Sequence, residues 1–362
     1  MNRILSAPGK FVIGNGEIGC LAHYVETYGS PIVVVAHPDD FSRVSEALSK
    51  VEAEGIKLIH AKFGGECTRA EIEQVQAVCR QNKAKAVAGL GGGKAIDTAK
   101  AAAHYENLPS IIIPTIAATD APCSKLAVLY NEEHVLVEAL VLPKNPDLVL
   151  VDSGVIAKAP ERFLVAGMGD AYATYYEGRA CLRSSSMNYN NGGNTCAAMI
   201  LSQECLRILL EDGEKALLAC RAHVVTPALE NIIEANVLLS GVGFESAGLA
   251  AAHAVHGGFT ELHETHGAMH GEKVAVGLLI QLILENGPDE ELLQALRFYK
   301  TVGLPTSLKQ IGITDPAPEK LRKVAARCVK PKSIMHNMPF PVTEDMVYDA
   351  LLYVDSLDSL LH

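Results

Sequence analysis

The sequence predicts an α/β N-terminal domain followed by an all-α domain, and three observations lead to this fold class. The chain has 362 residues, more than one hydrophobic core usually supports, so two domains are expected. The first ~150 residues alternate short β-branched runs with helical patterns, as parallel strands joined by crossover helices do. After about residue 160, apolar residues recur at intervals of three and four, and strand patterns almost vanish. We therefore expect domains at 1–160 and 161–362.

Five short apolar runs are the strand candidates of the first domain. They are Ile32–Ala36, 57–62, 85–89, Ser110–Pro114 and Leu148–Asp152. Helical patterns separate consecutive runs, which predicts a Rossmann-like parallel sheet. No internal repeat or long linker interrupts the chain, so we expect a direct junction near residue 160 and a cleft between the domains, where ligands often bind.

Composition excludes several function classes. The net charge of −11 and the lack of a Lys/Arg stripe argue against nucleic acid and against an anionic membrane surface. The nine cysteines are odd in number and show no C-x-x-C spacing, so a disulfide framework or a cysteine–zinc site is not expected. The first ten residues do not resemble a secretion signal, and no apolar run reaches membrane-spanning length. We expect a cytoplasmic protein.

Two glycine-rich runs are candidates for a dinucleotide site. The first, Gly14-Asn-Gly16-Glu-Ile-Gly19, matches G-x-G-x-x-G, with Asp39 about twenty positions later. Only the short run 10–13 precedes it, whereas a working fingerprint needs a full buried strand before the turn. A plain turn is the better interpretation of this run.

The second run, Gly89-Leu-Gly91-Gly92-Gly93-Lys94, follows a clear strand and opens a helical pattern. Glycines let backbone N–H groups approach phosphate oxygens, and the start of a helix adds partial positive charge. The run is not a Walker P-loop, because Ala88 and Ala95 stand where that motif requires Gly and Ser or Thr. The alternative is a tight strand-to-helix turn that binds nothing.

A hydroxyl-rich loop follows the strand candidate Ser110–Pro114 and contains Thr115, Thr119, Asp120 and Ser124. In open parallel sheets, ligands bind outside the carboxyl ends of the strands, where this loop lies. The alternative is that these polar residues only shape turns and caps.

Five of the thirteen histidines fall within eighteen residues, which predicts a metal site. They are His253, His256, His263, His266 and His270. We expect two helical segments, 245–256 and 266–279, with a turn at Gly257 and Gly258 between them. One histidine from each helix can then share an ion, but the spacing does not choose among the five.

A catalytic zinc site with two imidazoles needs an anionic ligand and one open position. Asp170 is the best candidate, because it lies in the small-residue stretch Gly167-Met-Gly169-Asp170 at the start of a helical pattern. A carboxylate buried there without a partner would be costly.

Several motifs resemble the iron-containing alcohol dehydrogenase family, and within it the zinc-dependent glycerol dehydrogenase branch. They are GLGGGK at 89–94 with Asp97 and Lys100, PTIAATDAPCS at 114–124, VTPALE at 225–230, GFES at 243–246, AAAH at 250–253 and HGEK at 270–273. The likeness covers nearly the whole chain in matching order. It implies a dinucleotide-binding domain and an all-helical metal- and substrate-binding domain, the architecture that dehydroquinate synthase also has.

The resemblance also implies roles for individual residues. The metal ligands would be Asp170, His253 and His270, with His256 and His266 beside them, and Asp120 would hold a substrate hydroxyl. The residues that would meet the cofactor are Gly91, Gly92, Gly93, Lys94, Asp97, Thr115, Thr119, Ser124, Leu126 and Tyr130. The implied cofactors are NAD and Zn²⁺ or Fe²⁺, and the implied assembly is a large homo-oligomer, an octamer by resemblance.

Three positions depart from the family pattern. His37 stands just after the second strand candidate, where relatives carry an acidic residue for the adenosine ribose, so we hypothesise looser discrimination between NAD and NADP. Lys125 replaces a small residue, and Gly257 replaces Asn. Both flank the implied site and are candidates for altering substrate choice.

The expected reaction is the oxidation of glycerol, or a related small vicinal diol, to dihydroxyacetone or the hydroxyketone. A bound metal acidifies a hydroxyl, the alkoxide forms near neutral pH, and a hydride passes to the nicotinamide. The alternatives are a dehydrogenase for another small hydroxy compound, such as a hydroxy acid, a dehydroquinate synthase-like lyase, and a non-catalytic binding module. A phosphorylated substrate is disfavoured, because Lys273 is the only cation in 245–277, and the presence of all three implied ligands disfavours the non-catalytic module.

Overall fold

A parallel six-stranded sheet dominates the first part of the chain in the computed structural model, which describes residues 2–131, 136–357 and 360. The strands within the described residues are β1 (Phe11–Gly14), β2 (Ile32–Ala36), β3 (Leu58–Lys62), β4 (Ala86–Gly91), β5 (Ser110–Pro114), β6 (Leu126–Tyr130), β7 (Leu136–Val141) and β8 (Leu148–Asp152). The sheet has the order β1-β8-β5-β4-β2-β3, and β6 and β7 form a separate antiparallel pair. All five strand candidates are confirmed; the sequence interpretation missed β1, β6 and β7.

The strand order reverses between β2 and β4. From β2 the chain moves outward to β3, then crosses back to β4 and continues in the other direction through β5. The register places Val35 beside Gly89 and Gly91 beside Pro114, so the carboxyl ends of β2, β4 and β5 meet at one edge. In open α/β sheets, such a switch point is where ligands bind.

Helices cover both faces of the sheet. They are α1 (Leu21–Val25), α2 (Pro38–Arg43), α3 (Ser45–Ala53), α4 (Arg69–Asn82), α5 (Gly93–Tyr105) and α6 (Ser153–Ile156). Alternate residues of β2 enter two separate cores: Ile32 and Val34 pack with residues of α1 and α3, and Val33 and Val35 pack with residues of α4 and α5. Because side chains alternate across a strand, an apolar run such as β2 is buried on both faces.

The rest of the chain is mostly helical. Its helices are α7 (Glu161–Ser184), α8 (Cys196–Arg221), α9 (Pro227–Glu234), α10 (Ser240–Ala247), α11 (Ala251–Phe259), α12 (His270–Glu285), α13 (Asp289–Val302), α14 (Pro318–Cys328) and α15 (Glu344–Val354). A π-helical turn, Ala235–Leu239, joins α9 to α10. The predicted fold class, an α/β part followed by a helical part, is confirmed.

Two local expectations about the histidine region are wrong. The expected helix 245–256 is broken, because Gly248 has a φ of 95° and separates α10 from α11. The expected turn at Gly257 and Gly258 lies instead inside α11. A Cβ on Gly258 would lie 2.8 Å from Cys328 Sγ and 2.9 Å from the carbonyl oxygen of Val324, so this glycine serves the close packing of α11 on α14.

Contacts divide the chain into two compact units. The sheet unit comprises Ser6–Glu161 and Leu218–Gly241, and the helical unit comprises Met1–Leu5, Arg162–Leu217 and Val242–His362. Helix α9 therefore belongs to the sheet unit. The domain ranges 1–160 and 161–362 stay a prediction. Among the described residues, no single helix is long and apolar enough to cross a membrane; one bent pair, Pro227–Ala247 with Ala251–Phe259, passes by length and composition alone.

Candidate metal and cofactor sites

Glycines bring three helices of the helical unit unusually close together. A Cβ on Gly271 would lie 1.8 Å from the carbonyl oxygen of Ala166, and one on Gly169 would lie 2.5 Å from the carbonyl oxygen of Gly271. These two glycines let α7 and the start of α12 touch backbone to backbone. Gly277 does the same for α12 and α11, because its Cβ would lie 2.3 Å from the carbonyl oxygen of Ala252. Asp170, His253 and His270 lie beside these contacts.

The close packing places one carboxylate and two imidazoles around one point. Asp170 Oδ1 lies 3.3 Å from His253 Nε2 and 3.2 Å from His270 Nε2, and one ligand atom from each residue falls within 4.8 Å of the others. Two ligand atoms of a tetrahedral zinc ion, with bonds of about 2.05 Å, lie roughly 3.3 Å apart. The three side chains therefore fit a single divalent cation, and their donor types suit zinc or iron.

The ionisable groups of this cluster strongly influence one another. Burial opposes the charged form of Asp170, which is 1% exposed, but His270 and His253 outweigh it and hold the pKa of the carboxyl well below its usual range. Burial favours the neutral ring of His253, but Glu177 and Asp170 raise the pKa of His253 well above its usual value. The carboxylate of Asp170 thus carries its negative charge beside two imidazole nitrogens, an environment that favours a cation.

Glu177 is a functional candidate that the sequence interpretation missed. It lies seven residues after Asp170 on α7, is fully buried, and accepts a 2.6 Å hydrogen bond from His253 Nδ1 on its Oε2. Its Oε1 accepts the backbone N–H groups of Ala250 and His253, which begin α11. A carboxylate on Nδ1 fixes the ring so that the Nε2 lone pair is available to a metal.

The two other histidines implied beside the metal lie in different surroundings. His256 Nε2 is 3.1 Å from His270 Nδ1, and burial, together with the charge of His270, lowers the pKa of His256 well below its usual value. His266 is exposed and lies 3.4 Å from the carbonyl oxygen of Thr260, away from the three ligands.

The second glycine run forms the turn between β4 and α5 in the sheet unit. Gly91 has a φ of 148°, which disfavours any other residue, and Gly92 caps α5 at its N-terminus. A Cβ on Gly93 would meet nothing within 4 Å, so the first turn of α5 is open to an approaching group. The turn thus has the geometry expected of a phosphate-binding helix start.

The proposed cofactor residues divide into accessible and enclosed ones. Lys94 is half exposed, pairs with Glu66 at 2.7 Å and lies 5.4 Å from the ring centre of Tyr130, a tyrosine whose pKa burial raises to about 12. Thr115 is 2% exposed, and its N–H donates to the carbonyl oxygen of Gly91. Thr119 accepts the N–H of Ala121.

Ser124 and Leu126 are also proposed to meet the cofactor; Ser124 lies two residues before β6, and Leu126 is its first residue. The hydroxyl of Ser124 is buried and donates to the carbonyl oxygen of Ala121, and Leu126 is partly exposed. His37 is about half exposed and caps α2 by accepting the N–H of Asp39.

Asp97 and Lys100 hold the loop before β6 from inside the sheet unit. Lys100 is 1% exposed, and its Nζ lies 2.8 Å from Asp97 Oδ1. That Nζ donates to the carbonyl oxygens of Ala121, Ser124 and Leu126. Asp97 also accepts the N–H of Val128. Both side chains therefore serve as anchors for residues 121–128.

Asp120, the implied substrate-binding residue, is 8% exposed in the sheet unit. Its Oδ2 accepts a 2.9 Å hydrogen bond from Ser240 Oγ. A Cβ on the neighbouring Gly241 would lie 2.9 Å from the carbonyl oxygen of Asp120, so the chain approaches this residue closely.

The first glycine run, by contrast, has an internal partner. Gly16 has a φ of 86°, and the carboxylate of Asp152 accepts the N–H groups of Gly16 and Ile18. The same carboxylate accepts the N–H groups of Gly154 and Val155. The run is a turn fastened to the end of β8, as the sequence interpretation favoured.

Comparison with known proteins gives consistent matches. A family model described as iron-containing alcohol dehydrogenase matches residues 8–153. A glycerol dehydrogenase from Pseudomonas putida is 46% identical over 363 residues, covering 99% of this chain and 98% of its own. The structure of a probable glycerol dehydrogenase from Sinorhizobium meliloti 1021 matches with a TM-score of 0.93 at 43% identity, covering 99% of both chains. That of glycerol dehydrogenase from Schizosaccharomyces pombe matches with a TM-score of 0.95 at 35% identity, covering 99% and 92%.

Proposed function

The chain belongs to the iron-containing alcohol dehydrogenase family, and from this membership we propose that it is an NAD-dependent dehydrogenase that oxidises glycerol, or a related small vicinal diol, to dihydroxyacetone or the corresponding hydroxyketone. The observation that carries the proposal is the cluster of Asp170, His253 and His270, whose ligand atoms lie within 4.8 Å of one another. Sequence identity of 46% to a glycerol dehydrogenase supports the choice of substrate.

In this proposal Asp170, His253 and His270 hold a divalent metal, zinc or iron. When bound, the metal supplies Lewis acidity that lowers the pKa of a substrate hydroxyl. Three protein ligands are typical of catalytic sites that leave a position for substrate. The buried carboxylate of Asp170 balances the charge of the cation, and Glu177 orients His253 toward it.

The sheet unit is proposed to bind NAD. The N–H groups at the start of α5 would hold the pyrophosphate, and the ammonium of Lys94, now paired with Glu66, would offer a positive charge to a phosphate oxygen. Thr115, Thr119, Ser124, Leu126 and Tyr130 are proposed to line the rest of the cofactor path. The carboxylate of Asp120 accepts a hydrogen bond from a substrate hydroxyl. When bound, NAD would supply the acceptor for the hydride of the carbinol carbon.

The setting of the enzyme is also proposed. Residues 1–160 form the cofactor domain and 161–362 the metal and substrate domain, and the protein works as a cytoplasmic homo-oligomer. Support comes from the resemblance to the family and from a charge of −11, which disfavours nucleic acid as a partner.

A metal-ligand variant and a matched histidine variant test the function. Purified protein is assayed for glycerol-dependent NADH formation at 340 nm, with and without a chelator, while bound metal is measured by mass spectrometry. His253→Ala should lose the metal and more than about 100-fold in kcat/KM, because losing a ligand costs more than losing a residue that supports one. His266→Ala removes an exposed histidine outside the ligand cluster and should keep both the bound metal and the wild-type kcat/KM. Absence of diol-dependent NADH under every metal would refute the dehydrogenase.

A further inference from the structure

Asp40 places a carboxylate directly over the glycine turn of the sheet unit. Its Oδ2 lies 3.3 Å from the position that a Cβ on Gly91 would take, and its Oδ1 accepts a 3.3 Å hydrogen bond from Thr115 Oγ1. The side chain of Asp40 is 19% exposed, so it is partly enclosed but reachable from solvent.

The topology explains how three distant residues meet. Asp40 lies on α2 after β2, Gly91 ends β4, and Thr115 follows β5. The carboxyl ends of these three neighbouring strands share an edge, and β2 and β4 flank the point where the strand order reverses. A dinucleotide whose pyrophosphate sits on α5 has its adenosine ribose near the end of the strand across this switch point. Asp40 lies there.

Arg43 completes the arrangement. It is the last residue of α2, one turn after Asp40, and its Nη2 lies 2.9 Å from Asp40 Oδ1. A carboxylate accepts hydrogen bonds from the ribose hydroxyls of NAD and repels the 2′-phosphate of NADP, whereas an arginine binds that phosphate. The carboxylate of Asp40 therefore both repels the 2′-phosphate and engages the guanidinium that would bind it.

We propose that Asp40, by binding the ribose and by pairing with Arg43, makes this chain select NAD over NADP. The inference rests on the proposed function, because it assigns a specificity determinant to the same cofactor site. The hypothesis of looser discrimination between NAD and NADP rested on His37 alone, the first residue after β2. The structure supplies a carboxylate three residues further along, within contact of the glycine turn.

The test uses a neighbouring aspartate as its control. Asp40→Asn and Asp40→Ser are compared with Asp39→Asn, since Asp39 is 87% exposed and contacts His37 rather than the turn. Binding of NADH and NADPH is measured by fluorescence titration without substrate, and kcat/KM for NAD and NADP is measured with glycerol. Both Asp40 variants should raise the ratio of kcat/KM for NADP to kcat/KM for NAD by about 10- to 100-fold. This is the scale of one charged hydrogen bond lost to the ribose and one repulsion of the 2′-phosphate relieved.

A double variant separates the two parts of the proposal. The double variant Asp40→Asn with Arg43→Gln should bind NADPH about 5- to 10-fold more weakly than Asp40→Asn alone, because it lacks the guanidinium that the single variant releases. The inference is overturned if both Asp40 variants keep the wild-type ratio, or if Asp39→Asn shifts it equally. Because the titrations need no turnover, a shift in coenzyme binding without any diol oxidation would sustain the inference while refuting the proposed substrate.

Discussion

Glu177 contacts the metal cluster through His253, on the ring nitrogen that does not face Asp170. Its carboxylate accepts a 2.6 Å hydrogen bond from Nδ1 of His253 and hydrogen bonds from two backbone N–H groups at the start of α11. It therefore fixes both the imidazole ring of His253 and the N-terminal end of α11. The sequence does not connect Glu177 with His253, because the two residues lie 76 positions apart and no periodicity or spacing relates them. The only available signal was its distance of seven residues from Asp170, which puts both on one face of a helix.

We expect Glu177→Gln to weaken metal binding about 10- to 100-fold, because the neutral amide no longer supports the protonated Nδ1 of His253 as strongly. The measurement is competition with a chromogenic chelator, which does not depend on enzyme activity. Glu161→Gln, a partly exposed position on the same helix that pairs with Arg221, serves as the control and should bind metal as the wild type does. Equal affinities for Glu177→Gln and the wild type would show that Glu177 only caps α11.

At the scale of elements, the strands were easier to predict than the helix boundaries. Runs such as Ile32–Ala36 are apolar throughout because both faces of the sheet are covered, and that pattern is visible in the sequence. The break at Gly248 and the continuation of α11 through Gly257 were not visible, because neighbouring helices decide them. The antiparallel pair β6 and β7 was missed, since β6 follows the hydroxyl-rich loop that begins at Thr115.

Two adjacent glycines of α11 should respond in opposite ways to the same substitution. Gly257→Ala should raise the free energy of unfolding by roughly 0.5–1 kcal/mol, since alanine favours the helix and its Cβ meets nothing within 4 Å. Gly258→Ala should lower it by about 1–3 kcal/mol, because its Cβ meets Cys328 and Val324 below 3.0 Å. Thermal unfolding midpoints check both. A tolerated Gly258→Ala would show that α14 can move away freely.

At the scale of the whole molecule, the two proposed sites lie in different units. Asp170, His253 and His270 belong to the helical unit, whereas the glycine turn, Lys94 and Thr115 belong to the sheet unit. The sequence identified both groups, but spacing alone left five histidines open, and only the likeness to a family singled out two. The packing of Gly169, Gly271 and Gly277 then shows why these two reach Asp170.

Removing the metal should therefore affect the two units unequally. A ligand that binds only the folded state stabilises it, by about 2.7 kcal/mol at a concentration 100 times its Kd, so chelation should lower the thermal midpoint and stop diol oxidation. NADH binding, followed by fluorescence, should change by less than about threefold, because no proposed cofactor residue is a metal ligand. Loss of NADH binding together with the metal would contradict this independence.

The ammonium of Lys100, surrounded by three carbonyl oxygens and a carboxylate, occupies the kind of oxygen-lined place that a calcium ion takes in other loops. Because this ammonium is covalently attached to α5, a chelator cannot remove it and dilution cannot leave the site vacant. The loop that carries Asp120 and Ser124 thus keeps its shape through treatments that strip exchangeable ions. The cation that holds this loop is part of the polypeptide, so the loop needs no ion from the solvent.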